Sequence, residues 1–298
     1  MGRQVTNDGD RRQPPALALV LGAAISVQFG AALATHLFHQ VGPTGAVTLR
    51  LVLAAVLMAG ILRPRHLSVA RADLGVAVAF GLTLAAMNLT FYEAISRIPL
   101  GVAVTIEFVG PLAVTIFGSR RLIDLLWGVL AGVGVALLMT GGVHRLNLVG
   151  VLMALLAGGC WGGYVVLSKE TGRRFPGPSG LAVAMVVSAL VVLPIGLATA
   201  GRAMLHPSAI GIGAAVALLS SVVPYSLELF ALRRVTPRAF GVLLSLDPAV
   251  AALVGLLVLG QHLAWRELVA LVLVVAANAG SVLAGEAGAV AASGVVPD

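Results

Sequence analysis

The chain has 298 residues, 59% of them hydrophobic and only 10% charged, with a mean hydropathy of +1.03 and a formal net charge of +7. A soluble domain carries roughly 25% charged residues, so this composition excludes a water-facing surface of ordinary extent and makes lipid the solvent. The 19 Lys and Arg fall in short clusters between apolar stretches, which is the pattern of orienting loop charge and excludes a continuous basic face for nucleic acid.

A helix needs about 20 apolar residues to cross the hydrocarbon core. After an N-terminal tail over 1–15, breaks at Arg, Pro and Gly predict ten helices: 16–38, 43–62, 73–95, 99–118, 122–141, 148–168, 179–200, 208–232, 237–259 and 265–285. The apolar runs are too long and too uniform for barrel strands, so the fold class is an all-α membrane protein. No charge lies between Arg12 and Arg50, and so long a run is not the core of a cleavable signal peptide. Residues 286–298 read as a disordered tail. The single cysteine, Cys160, reads as a small core residue.

Loop charge tests the count. With the N-terminus inside, fourteen basic residues fall on the cytoplasmic side: Arg3, Arg11, Arg12, Arg63, Arg65, Arg71, Arg120, Arg121, Lys169, Arg173, Arg174, Arg233, Arg234 and Arg238. Four fall outside: Arg97, Arg145, Arg202 and Arg266. This bias predicts an even number of crossings and cytoplasmic termini.

The chain also resembles itself. Ala94, Arg97, Ile98 and Pro99 are followed by Pro111, and Ala231, Arg234, Val235 and Pro237 by Pro248. The copies sit at the third-to-fourth and eighth-to-ninth helix junctions. Five crossings separate them, so the halves over 16–141 and 148–285 are inverted relative to one another, the arrangement secondary transporters use for alternating access. Gly128/Gly132, Gly158/Gly162 and Gly159/Gly163 are G-x-x-x-G pairs that suit close helix packing.

Ionisable groups deep in a bilayer cost roughly 2.5–3.5 kcal/mol on insertion scales, so each needs a partner, a cavity or a function. Arg50 lies seven residues past Pro43, and Glu107 eight past Pro99, which places both roughly 10–12 Å below the same surface. An Arg50–Glu107 ion pair is therefore feasible. The functional alternative gives Arg50 a substrate carboxylate and leaves Glu107 an ammonium group or a proton. Asp247 lies near mid-membrane and is the second candidate proton carrier. Pro111 frees the carbonyl of Glu107 and Pro248 that of Leu244. A second tier of polar residues, Gln28, Asn88, Tyr92, Trp161, Tyr164, Ser221, Tyr225 and Asn278, suits interhelical hydrogen bonds or substrate contact. Glu93 and Glu228 lie towards opposite membrane faces, near Arg97 and Arg233, as gate or interfacial groups.

There is no Walker loop, H-E-x-x-H or C-x-x-C, and the six histidines lack metal-ligand spacing. No cofactor or metal is expected. No loop is long enough for a nucleotide-binding domain, which leaves gradient coupling or exchange. An intramembrane enzyme would need a nucleophile with its base, and a receptor a sizeable soluble domain; neither is apparent.

The segments Pro224-Tyr225-Ser226-Leu227-Glu228, Ala231-Leu232-Arg233-Arg234 and Asp247-Pro248-Ala249 resemble the EamA repeat of the drug/metabolite transporter superfamily. Pro99 to Val104, Glu107-Phe108, Gly110-Pro111-Leu112 and Ser119-Arg120-Arg121 are similar to the branch exporting threonine and homoserine. The resemblance implies ten helices in two inverted five-helix repeats, and proton-linked efflux of small zwitterionic amino acids across the bacterial inner membrane. It departs from the repeat's acid-Pro step at Gly110-Pro111. Export of another polar metabolite or a drug is the other transporter reading.

Overall fold

The computed structural model describes residues 16–62, 71–118, 122–139, 146–175, 179–232 and 237–293. Every regular element among them is helical: α1 (Ala16–Leu62), α2 (Arg71–Ile95), α3 (Leu100–Glu107), α4 (Val109–Phe117), α5 (Leu122–Met139), α6 (Leu148–Arg174), α7 (Ser179–Ala200), α8 (Pro207–Ala217), α9 (Val223–Leu232), α10 (Pro237–Leu244), α11 (Asp247–Leu259) and α12 (Trp265–Ser293). A 3₁₀ turn, Gly201–Leu205, precedes α8, and a π-helical turn, Leu218–Val222, joins α8 to α9. Nine stretches among the described residues are long and apolar enough to cross a membrane. Large apolar side chains stand on the outside, among them Phe117 at 88%, Leu122 at 87% and Leu257 at 71% exposure. A surface of this kind is stable only against lipid, so the chain is a multi-pass membrane protein.

The longest element is not one rod. Gly42, at φ 68° and ψ 170°, interrupts α1 immediately before Pro43. Positive φ suits glycine, and proline cannot continue the helical hydrogen bonding. Ser26 and Arg50 both hydrogen-bond to the same turn of chain, at Leu219 and Ser220. A straight helix would hold these two residues about 36 Å apart, so α1 doubles back at Gly42. Its arms, 16–41 and 43–62, are the first two expected helices with the gap between them reduced to one residue.

Antiparallel pairs organise the packing. Along α2 and α6, Arg97 and Ile98 lie against Gly150, Thr83 against Gly163 and Phe80 against Tyr164, and Arg174 bonds to Asp73. The first arm of α1 runs against α8–α9 in the same sense, with Gly22 on Leu227 and Gly30 on Leu219 and Ser220. The second arm lies on α7, where Thr48 Oγ1 donates to the Val192 carbonyl at 3.2 Å and sits over Gly196. α3 pairs with α11 through Gly101 and Ala252, and α5 with α12 through Gly134 and Ala270 and through Trp127 and Gly280. The orphan N–H of Leu100 at the start of α3 donates to Gln261 Oε1 at 2.9 Å, which joins the two halves again.

The expected glycine pairs divide. Gly158 and Gly162 are tight: a Cβ on Gly158 would come within 2.6 Å of the Glu107 carbonyl, and one on Gly110 would overlap the Gly158 carbonyl. Around Gly132 and Gly159, by contrast, there is open space, so Gly128/Gly132 and Gly159/Gly163 do not act as packing pairs. Two ends also differ from expectation. α6 continues past residue 168 to Arg174, because Glu170 pairs with Arg173 and Arg174 along the helix. α12 continues through an Ala-rich run to Ser293, so residues 286–293 are helical where a disordered tail is expected. The orienting charges Arg63, Arg65, Arg120, Arg121, Arg145, Arg233 and Arg234 lie outside the described residues, as does residues 1–15.

The α4–α6 contact generates a prediction. Gly110→Ala should cost about 1–3 kcal/mol or more, as overpacking does, while Gly159→Ala, which points into open space, should be neutral or slightly stabilising. Thermal midpoints and monodisperse yield in detergent measure both.

Candidate functional site

The site is built on helix interruptions, and the π turn is the most informative. The Val223 N–H bonds to the Leu218 carbonyl, one residue further back than in an α-helix. The next residue, Pro224, has no N–H. The Leu219 carbonyl therefore loses both the α-type donor, Val223, and the π-type donor, Pro224. The Ser220 carbonyl loses its α-type donor for the same reason. Both find partners on the α1 hairpin. Ser26 Oγ donates to Leu219 O at 2.7 Å, and Arg50 Nη2 donates to Ser220 O at 3.4 Å. Unpaired carbonyls inside a bilayer cost several kcal/mol each, which explains why a serine and an arginine sit here.

Arg50 is held on its other side by Tyr92 of α2. Arg50 Nη1 donates to the Tyr92 hydroxyl at 3.4 Å, and the guanidinium carbon lies 5.6 Å from the centre of the same ring. Tyr92 is fully buried and packs against Phe38 and Phe91, so its position is fixed. Arg50 Nε is buried and has no hydrogen-bond partner. The guanidinium is thus a half-buried cation with one edge unsatisfied.

The expected Arg50–Glu107 ion pair is not formed; no salt bridge links the two among the described residues. Equal depth does not place two side chains on facing helix surfaces, and the arginine's donors are turned to Tyr92 and the π turn. Glu107 is buried at the last residue of α3, where Phe108 separates α3 from α4. Its backbone carbonyl, freed by Pro111, is covered by Gly158 of α6. Asp247 opens α11 after the break at Ser245 and Leu246, and its buried Oδ1 has no partner. The charges of Arg50 and Asp247 both act on Glu107, and that of Glu228 acts on Asp247. One cation and three acids thus form a linked electrostatic set within the apolar bundle.

The remaining expected residues divide. Gln28 is buried with Oε1 unpartnered. Trp161 stands edge-on to Phe108, 4.7 Å between ring centres, beside the α3–α4 break. Tyr164 packs 5.0 Å from Phe80 and, with Thr171 and Leu181, lines a cavity of ≈ 230 Å³ between α2, α6 and α7. Asn88 and Asn278 do not bridge helices: each donates to the carbonyl four residues earlier, Leu84 and Val274, at 2.9 Å. Ser221 is buried within the π turn. The Tyr225 side chain lies outside the described residues, as does Arg233, the expected neighbour of Glu228. Glu93 pairs with Arg97 as expected and also accepts from Thr44 Oγ1 at 3.1 Å, next to the α1 turn. Among the described residues, no group of three or more His, Cys, Asp or Glu is placed to hold a metal ion.

Three contributors escape a reading by charge and depth: Ser26, the Ser220 carbonyl and Pro224. The logic that identifies carbonyls freed by Pro111 and Pro248 applies equally to Pro224 and leads to Ser220. Nothing in residue spacing reveals the π turn that adds Leu219.

Comparison with known proteins agrees with this architecture. The EamA-like transporter family model matches residues 148–283. The threonine/homoserine exporter RhtA of Escherichia coli (strain K12) is 41% identical over 269 residues, which is 90% of this chain and 91% of the relative. RhtA of Salmonella typhimurium (strain LT2) is 41% identical over 271 residues, with the same coverage. A solved crystal structure matches with a TM-score of 0.62 at 17% identity, covering 91% of this chain and 98% of that one. The relatives are named as exporters, not enzymes. On this identity and coverage, the chain belongs to the EamA-like transporter family of membrane transport proteins and resembles its threonine/homoserine exporters.

Proposed function

We propose that the chain is a secondary active exporter of small amino acids such as threonine or homoserine, working by proton antiport and alternating access across the bacterial inner membrane. The observation that carries this reading is Arg50: a cation deep in the bundle, held by neutral groups, with its buried Nε unpartnered and Glu107 within electrostatic range. A cation without a structural counter-ion in this setting is costly, and a substrate carboxylate offers the bidentate partner that a guanidinium fits. Glu107 then receives the ammonium group or a proton, and Asp247 is the second proton carrier. Gln28, Asn88, Trp161, Tyr164 and Tyr225 line the path, while Glu93 and Glu228 act at its two mouths. The names of the relatives supply the cargo.

Ten crossings in two inverted five-helix repeats, over 16–141 and 148–285, fit this function. Counting the two α1 arms separately gives ten. Numbered in this way, the second pairs with the seventh, the fourth with the ninth and the fifth with the tenth. The third-with-sixth contact recurs as eighth-with-first. Each of these contacts maps onto itself or onto another of them when the halves are exchanged, which supports a pseudo-two-fold relation between the halves, and sites in such proteins lie at the repeat interface.

Three outcomes are expected. Reporter fusions after residues 70, 122 or 174 should report cytosol, and those near 145 or 203 the outside; a consistent reversal removes the proposed orientation. Raised expression in a bacterial host should increase tolerance to excess threonine or homoserine and lower the cytoplasmic pool. Unchanged tolerance and pools, with the protein verified in the membrane, would sink the amino-acid cargo. Finally, Arg50→Lys should weaken transport markedly, since the charge survives but the fork does not, and Arg50→Ala should nearly abolish it. Glu107→Gln or Asp247→Asn should stop proton-driven efflux and spare exchange if that residue carries the proton. Full transport in Arg50→Met with Glu107→Gln would show that neither group is needed for transport and overturn the assignment.

A further inference from the structure

The geometry points to Pro224 as the positioning residue of the Arg50 cation: by withholding its N–H, it keeps the Ser220 carbonyl available, and that carbonyl, with the Tyr92 hydroxyl, aims the guanidinium. This rests on the reading of Arg50 as the carboxylate-binding group and says what holds it ready.

An arginine side chain has several rotatable bonds and would not keep one orientation unaided. Here two of its nitrogens are spent on fixed neutral acceptors, Tyr92 Oη and Ser220 O, each at 3.4 Å. The third, Nε, is buried and unspent. Neutral acceptors orient a guanidinium without neutralising it, so the charge stays available to an incoming anion. A carboxylate in the same places would cancel it. The Tyr92 acceptor is rigid because its ring is buried against Phe38 and Phe91. The Ser220 acceptor exists because the residue four positions on is Pro224. The adjacent carbonyl, Leu219, is occupied by Ser26 at 2.7 Å, so Ser26 does not compete with Arg50 for Ser220.

With an ordinary residue at 224, its N–H would bond back to Ser220 and the π turn would relax towards an α-helix. The carbonyl would then turn into the helix and away from Arg50. A proline that merely kinks α8–α9 would have no such effect on a residue of α1.

The test reads Arg50 itself. Full-length protein in detergent is treated with phenylglyoxal, an arginine-selective dicarbonyl, and modification of Arg50 is followed by peptide mass spectrometry, with Arg202 of the same digest as reference. In Pro224→Ala, Arg50 should react faster by about tenfold relative to Arg202, the scale of one hydrogen bond to a charged group. Tyr92→Phe, which keeps the ring and removes the hydroxyl, should act in the same direction. Pro224→Ser serves in place of Pro224→Ala should the latter give little folded protein. In liposomes, counterflow of labelled threonine should show a raised KM with the maximal rate kept. An Arg50 reactivity unchanged in a folded Pro224 variant, or a rise shared equally by Arg202, would overturn the proposal. Protection of wild-type Arg50 by threonine tests the cargo separately. Its absence would count against threonine, while the comparison of variants would still decide the role of Pro224.

Discussion

A backbone carbonyl inside a bilayer needs a donor or close protein cover, and the polar centre of this protein follows from where two prolines, Pro111 and Pro224, remove a donor. Water is not there to fill the gap, so each freed carbonyl costs several kcal/mol unless the protein covers it. Pro111 frees Glu107, and α6 answers by bringing Gly158 against it. Pro224 leaves Leu219 and Ser220 short of donors, and the two arms of α1 answer with Ser26 and Arg50. These solutions bring α6 onto α3 and both arms of α1 onto the turn between α8 and α9. The polar centre of the bundle is thus a consequence of its broken helices.

The same constraint decides how charge is carried. A paired arginine and glutamate would be the obvious way to bury both, but a closed ion pair offers nothing to a ligand. In this bundle Arg50 is held by a phenol and a carbonyl, and the acids stand apart from it at the ends of α3 and the start of α11. The cation and the acids influence one another without being consumed by contact. Such an arrangement leaves the cation outside a closed ion pair, which is what the proposed capture of a zwitterion would require.

Much of the fold was legible in the sequence. Lipid demands uninterrupted apolar runs, and such runs are visible as text, so the crossings appear where they are expected. Helix ends were harder. Arg173 and Arg174 read as loop charge, yet they pair with Glu170 along α6 and extend it. The deep residues Arg50, Glu107 and Asp247 were visible because charge is rare in such segments. Their partners were not: depth follows from counting residues, whereas the direction in which a side chain points depends on the packing of another helix. Asn88 and Asn278 illustrate the point, since both bond within their own helices. The π turn lies furthest from the sequence, because Pro224 shows which donor is missing but not how the turn before it adjusts.

Helices pair across the two halves, but the halves do not share a set of site residues, and the asymmetry has chemical meaning. α2 is a continuous helix without proline, whereas its counterpart is α8, a π turn and α9 with Pro224. The second arm of α1 carries Arg50, whereas its counterpart α7 has no charged residue at all. A symmetric pair of arginines, each on its own π turn, would place two cations in one cavity and repel each other. A single cation on one side, acting on Glu107, which in turn feels Asp247 of the other half, makes the centre asymmetric. An amino acid has a direction too, with one carboxylate and one ammonium group. On the proposed reading, a cation on one side alone would fix which end of such a substrate it receives, and packing shared between the halves would not alter that choice.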